Sequence, residues 1–82
     1  MNIIIYVDFS SKEFNKDFNI SNALLDEHTV LLVTSREQLE KSYKNYDILL
    51  FGNSISTIPT IDYINSYSIK DKTLEEIKKR LQ

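Results

Sequence analysis

The chain has 82 residues, 41% of them hydrophobic, with ten basic and twelve acidic side chains and a formal net charge of −2. That length bounds the protein at one domain, residues 1–82, near the lower limit for a self-sufficient core. The mixed, slightly acidic charge argues against a general nucleic-acid binder, which needs a basic face, and the absence of cysteine removes disulfides, thiolate metal sites and thiol chemistry.

The first predicted element is a strand over residues 2–8, built on Ile3-Ile4-Ile5-Tyr6-Val7. Ser10 and Glu13 have capping-box spacing, and Phe14, Phe18, Ser21 and Leu25 then fall at helical intervals, with Ile20 and Leu24 widening the stripe. Polar residues 15–19 compete with helix, so a break with a second start near Asn19 is an alternative. A second strand is expected over 29–33. Ser35 with Gln38 forms another capping box, and Leu39, Tyr43 and Tyr46 give the following helix an apolar face, leaving Glu37, Glu40, Lys41 and Lys44 in solvent.

A third strand over 47–51 follows almost at once. Residues 58–64 are dense in β-formers, and Pro59 near their start suits an edge strand; a short helix with Pro59 in its first turn is the alternative. A last helix is capped by Asp71 or Thr73, with Thr73 and Glu76 at capping-box spacing. It buries Leu74, Ile77 and Leu81 and ends in Lys78-Lys79-Arg80, where cations complement the helix dipole. The three main apolar runs are near-continuous rather than alternating, as in strands covered on both faces. Strands alternating with helices across short links predict a small three-layer α/β sandwich with a three- to four-stranded, mainly parallel sheet, flavodoxin-like in the broad sense. Apolar runs of about five residues fall well short of the roughly twenty that span a bilayer, and no basic leader precedes the first strand. A cytoplasmic location without membrane association is expected.

Motif chemistry is mostly exclusion. A single glycine rules out both the dinucleotide fingerprint and the P-loop. The single histidine, His28, is expected at the N-terminal edge of the sheet as a surface turn residue, away from the strand-end serines, so no serine–histidine–acid triad forms. Topology instead gathers Asp8, Ser10, Ser11, Thr34, Ser35, Arg36, Asn53, Ser54 and Ser56 at the C-terminal edge of the sheet. Two of these loops open helices, whose free N–H groups favour an anion, and Arg36 could add a charge-assisted contact. The competing account is that these serines are caps and turns. Asp8 could take a chemical role or simply hold its turn. No metal or other cofactor is implied.

The run Asp47-Ile48-Leu49-Leu50-Phe51-Gly52, and Ile58-Pro59-Thr60-Ile61-Asp62 through Tyr67-Ser68-Ile69-Lys70-Asp71, resemble the third strand, the fourth strand and the loop before the last helix of enzyme IIB components of sugar phosphotransferase systems, lactose/cellobiose type. The resemblance implies a small four-stranded parallel α/β domain. Those proteins carry a phosphoryl group on a cysteine ending the first strand. Here Asp8 stands at that position, the following loop lacks its glycine, and the helix between strands three and four is nearly missing. The implied kinship is of fold and not of chemistry.

With no complete catalytic set, the function expected is a non-catalytic binding or regulatory module that docks on another protein or on itself. A phage- or plasmid-encoded inhibitor would fit. Tyr63 and Tyr67, beside a possible edge strand, are the candidate contact residues. The alternative is a phosphate- or nucleotide-binding domain, or a phosphoryl-transfer domain, using the strand-end loops.

Overall fold

Three consecutive isoleucines set the architecture. Strand β1 (Asn2–Tyr6) carries Ile3, Ile4 and Ile5, all with 0% exposure. Side chains alternate between the faces of a strand, so burying three in a row requires cover on both faces of the sheet. The computed structural model describes residues 1–7, 14–52 and 65–82. Within them, β1, β2 (Thr29–Val33), β3 (Ile48–Phe51) and β4 (Asn65–Ser68) form one all-parallel sheet in the order β2-β1-β3-β4. The register aligns Ile4 with Leu31 on one side and Leu49 on the other, and Leu49 with Ser66. Asp47 joins β3 to the start of β1. Its carboxylate accepts from the Asn2 N–H at 2.8 Å, and its own N–H donates to the Asn2 carbonyl at 2.7 Å.

Helices cover both faces. On one, α1 (Phe14–Leu24) and α3 (Leu74–Arg80) enclose Ile3, Ile5, Val7, Ile48 and Leu50 together with Ile20, Leu24, Ile69, Ile77 and Leu81. On the other, α2 (Arg36–Ser42) and the 3₁₀ turn Tyr43–Asn45 lay Leu39 and Tyr43, with Tyr46 beyond them, against Ile4, Leu49, Val33, Leu31 and Phe51. This is the small α/β sandwich expected from the sequence, with helix, sheet and helix as its layers.

The caps follow the sequence signals. Ser35 Oγ accepts from the Gln38 N–H at 3.1 Å, while Gln38 Oε1 accepts from the Thr34 N–H at 3.2 Å. Thr73 and Glu76 make the reciprocal pair that opens α3, at 3.2 and 3.4 Å. Asp71, the alternative cap, sits instead in the preceding turn at φ 61°, a conformation that aspartate tolerates better than most residues.

Two expectations are corrected. The first helix is unbroken from Phe14 to Leu24, and its buried stripe is Asp17, Ile20, Ser21 and Leu24. That is one residue out of phase with a stripe through Phe18 and Leu25, which are 41% and 52% exposed. Phe18 stacks on Phe14 with 6.2 Å between ring centroids, so the pair lies along the rim of the helix and not beneath it. The second concerns Asn65–Ser68, to which the sequence reading assigns no element and which forms β4. Asn and Ser have little β preference, and pairing with β3 overrides it. The expected strand or helix over 58–64 lies outside the described residues.

The α3 cap gives a direct stability test. Replacing Thr73 by Ala removes the half of the capping box that its hydroxyl supplies, leaving the backbone N–H to Glu76, and is expected to destabilise the domain by about 1 kcal/mol. The melting temperature should fall by roughly 4–8 °C, while Thr73→Ser stays near wild type. Equal melting curves for Thr73→Ala and wild type would show that this half of the box contributes nothing.

Candidate functional site

All strands run the same way, so their C-terminal ends share one edge. In open α/β sheets ligands collect in the crevice at this edge, where neighbouring strands lead off to opposite sides. Here that point lies between β1, which leads to β2 on one side, and β3, which leads to β4 on the other. Thr34, Ser35 and Arg36 leave β2 at this edge and Gly52 leaves β3. Val7 closes β1, its N–H donating to the Val33 carbonyl at 2.9 Å. Ser35 is committed to capping α2, and Arg36 begins that helix as an exposed residue with a partner of its own. Asp8, Ser10, Ser11, Asn53, Ser54 and Ser56 lie outside the described residues.

The edge also holds a group that the sequence reading passed over. Asp17, in the first turn of α1, is 3% exposed and engaged by a partner. Its carboxylate packs onto the backbone of Gly52. A Cβ built there would lie 2.9 Å from the Asp17 carboxyl carbon and 3.1 Å from Oδ1, with Oδ2 closer still. The sole glycine is therefore required by a close approach, not by an unusual backbone angle. Asp17 was legible in principle. With the helix stripe set through Ile20 and Leu24, position 17 falls on the buried face, and an acid in an apolar stripe is a signal in itself.

On the α1/α3 face, an open groove of about 510 Å³ runs between α1 and the turn into α3. Ile20 and Leu74 give it an apolar floor, and Lys16, Asn19 and Lys72 are its polar lining. Ser35 and Arg36 belong to the α2 face. The structure thus brings Asp17 and Gly52 together, a pair outside the expected strand-end cluster, and places Ser35 and Arg36 of that cluster on the other face from the groove.

The remaining candidates fall elsewhere. His28 precedes β2 at the opposite edge, its Nδ1 3.4 Å from the Met1 nitrogen, as expected for a residue outside any strand-end triad. Tyr67 lies on β4, half-buried against the α1/α3 core, with the Arg80 guanidinium 5.5 Å from its ring centroid. Tyr63 is outside the described residues. Among the described residues no cluster of His, Asp or Glu is disposed to hold a metal ion, and no helix is long and apolar enough to cross a membrane. No protein-family model, curated protein or solved structure matches the chain.

The Asp17–Gly52 contact predicts strong coupling between the two positions. Gly52→Ala forces the buried carboxylate aside and is expected to destabilise the fold by roughly 1–3 kcal/mol, the usual range for overpacking. In Asp17→Ala/Gly52→Ala the added methyl has room, so the double variant should lose less than the sum of the two single changes. Urea unfolding of the four proteins measures this; strict additivity would mean that the close approach carries no energy.

Proposed function

We propose that this chain is a non-catalytic module that docks on a partner protein by strand addition at the open edge of β4. The observation that carries this reading is the phase of the β4 hydrogen bonds. The Ile69 N–H donates to the Phe51 carbonyl at 2.8 Å, so in this parallel register the odd-numbered residues of the strand turn their backbone groups toward β3. Ser66 and Ser68 then present theirs outward, where no described strand meets them. An added strand finds a ready ladder there. Tyr67 and Arg80, stacked beside it, are residue types favoured at interface centres. The resemblance to enzyme IIB components fits this reading as architecture alone, since no cysteine is present to carry a phosphoryl group.

A second reading, an anion or phosphorylated-ligand site, is favoured by one observation: the groove that sets Lys16 and Lys72 over an apolar floor. The two readings separate in solution. Proline is tolerated in an edge strand when its missing N–H faces outward, so Ser66→Pro is expected to keep the fold, checked by its melting curve. It should release a partner that wild type and Ser66→Ala both retain on an affinity matrix. Inorganic phosphate, nucleotides and sugar phosphates titrated into ¹⁵N-labelled protein should leave the amides of Lys16, Asn19 and Lys72 unmoved. Saturable shifts there, with partner capture insensitive to Ser66→Pro, would replace docking with the anion site.

A further inference from the structure

Among the described residues no strand meets the outer side of β2 either, and the chemistry of this second edge differs from that of β4. β2 is apolar throughout after Thr29, yet Val30, Leu31 and Leu32 are only half-buried, whereas the isoleucines of the neighbouring β1 are fully enclosed. A strand of this kind with one unpaired side is an association surface that soluble proteins normally blunt with charge, proline or a bulge. None of these interrupts residues 29–33. The helix packed over it, α1, carries Phe18, and Leu25 follows directly; both are exposed apolar residues.

The backbone specifies how this edge can pair. The Thr29 N–H donates to the Met1 carbonyl at 3.1 Å, and the Val33 carbonyl accepts from the Val7 N–H at 2.9 Å. Residues 29, 31 and 33 thus face β1, and Val30 and Leu32 turn both backbone groups to the open side. An antiparallel partner strand must match outward-facing residues with outward-facing residues. Among self-pairings that do so, one overlaps the whole strand: Val30 opposite Leu32 of a second copy, Thr29 opposite Val33, and Leu31 opposite itself. Apolar residues then face apolar residues at every position but the ends, the arrangement that stabilises cross-strand neighbours.

Charge favours the same direction. Asp26 and Glu27 stand before β2, at the negative C-terminal end of α1. Arg36, which has a partner of its own, stands after it at the positive N-terminal end of α2, and Glu37 is bridged to Lys41 at 2.9 Å. Antiparallel pairing sets the acidic end of one edge beside the basic end of the other. Parallel pairing would set like against like.

We propose that two copies of this chain associate through antiparallel pairing of their β2 edges about a twofold axis at Leu31, joining two four-stranded sheets into one continuous sheet. The surface is separate from β4, and the inference does not depend on the docking role assigned to that edge.

The test combines solution mass with a register scan. Sedimentation equilibrium of the wild-type chain should show the mass rising with concentration from the 9.6 kDa of one chain toward twice that value. Over the same range the amides of Val30 and Leu32 should become protected from hydrogen exchange. The chain has no cysteine, so single substitutions report the register cleanly. Residues opposite each other in a non-hydrogen-bonded antiparallel pair have Cα atoms about 4.5 Å apart, within disulfide reach. Leu31→Cys should therefore oxidise to a covalent dimer far more completely than Val30→Cys or Leu32→Cys. A mass fixed at one chain up to about 1 mM, or preferential cross-linking at 30 or 32, would overturn the proposal.

Discussion

The burial of Ile3, Ile4 and Ile5 side by side is the constraint on which the rest of the structure depends. Alternation sends Ile3 and Ile5 to one face and Ile4 to the other. Neither face can then be left to water without exposing a large β-branched side chain. Helices are required on both faces, and links that cross a layer permit parallel strands. The same requirement fixes β1 as an interior strand. Pairing with β2 on one side and β3 on the other follows, as does the convergence of strand ends at one edge. Asp17 reaches Gly52 because α1 packs on the face of the sheet that carries Ile3 and Ile5.

What the sequence made legible follows the strength of this constraint. The apolar runs behind β1, β2 and β3 are continuous because both faces are covered, and α2 and α3 follow from Leu39-Tyr43-Tyr46 and Leu74-Ile77-Leu81. Serine and threonine caps mark both helices. Legibility fails where the energetic reason is tertiary. β4 reads Asn-Ser-Tyr-Ser, which carries no strand signal; it is a strand because β3 offers it a ladder and because Tyr67 and the following Ile69 reach the core. Phe14 and Phe18, the most conspicuous apolar residues in the α1 segment, draw the expected stripe toward Phe18 and Leu25, which the structure leaves exposed. The sheet buries Ile20 and Leu24 from that stripe together with Asp17, which their spacing places on the same face.

The candidate site divides in the same way. Grouping serines at the strand ends is a deduction from topology, and Ser35 and Arg36 do emerge at the predicted edge. Their separation from the groove depends on which face each helix covers, and that is set by the alternation of core residues rather than by any local motif. Ser35 illustrates the difference between position and availability: its hydroxyl is at the edge where the strands end but satisfies the Gln38 N–H. Lys16 and Lys72, far apart in sequence and unremarkable in either segment, line one groove because α1 and the turn into α3 share a layer.

The two sheet edges differ in a way that, under the two proposals above, suits them to different partners. β2 is apolar, five residues long and nearly symmetric about Leu31, so its best complement among extended segments is itself. β4 is polar and shorter, and its outward backbone groups belong to serines, which face water without penalty in the free protein. Such an edge gains specificity from neighbours such as Tyr67 and Arg80 instead of from its own side chains. With β2 joined to its copy, the two β4 edges become the outer margins of one sheet. At about 4.8 Å per strand they stand roughly 34 Å apart. A partner that offered two strands one step beyond each margin, roughly 43 Å apart, would bind the second as an intramolecular event, gaining avidity without any new contact. A partner with a single strand would leave one margin free. The geometry of the first edge therefore determines what the second can recognise.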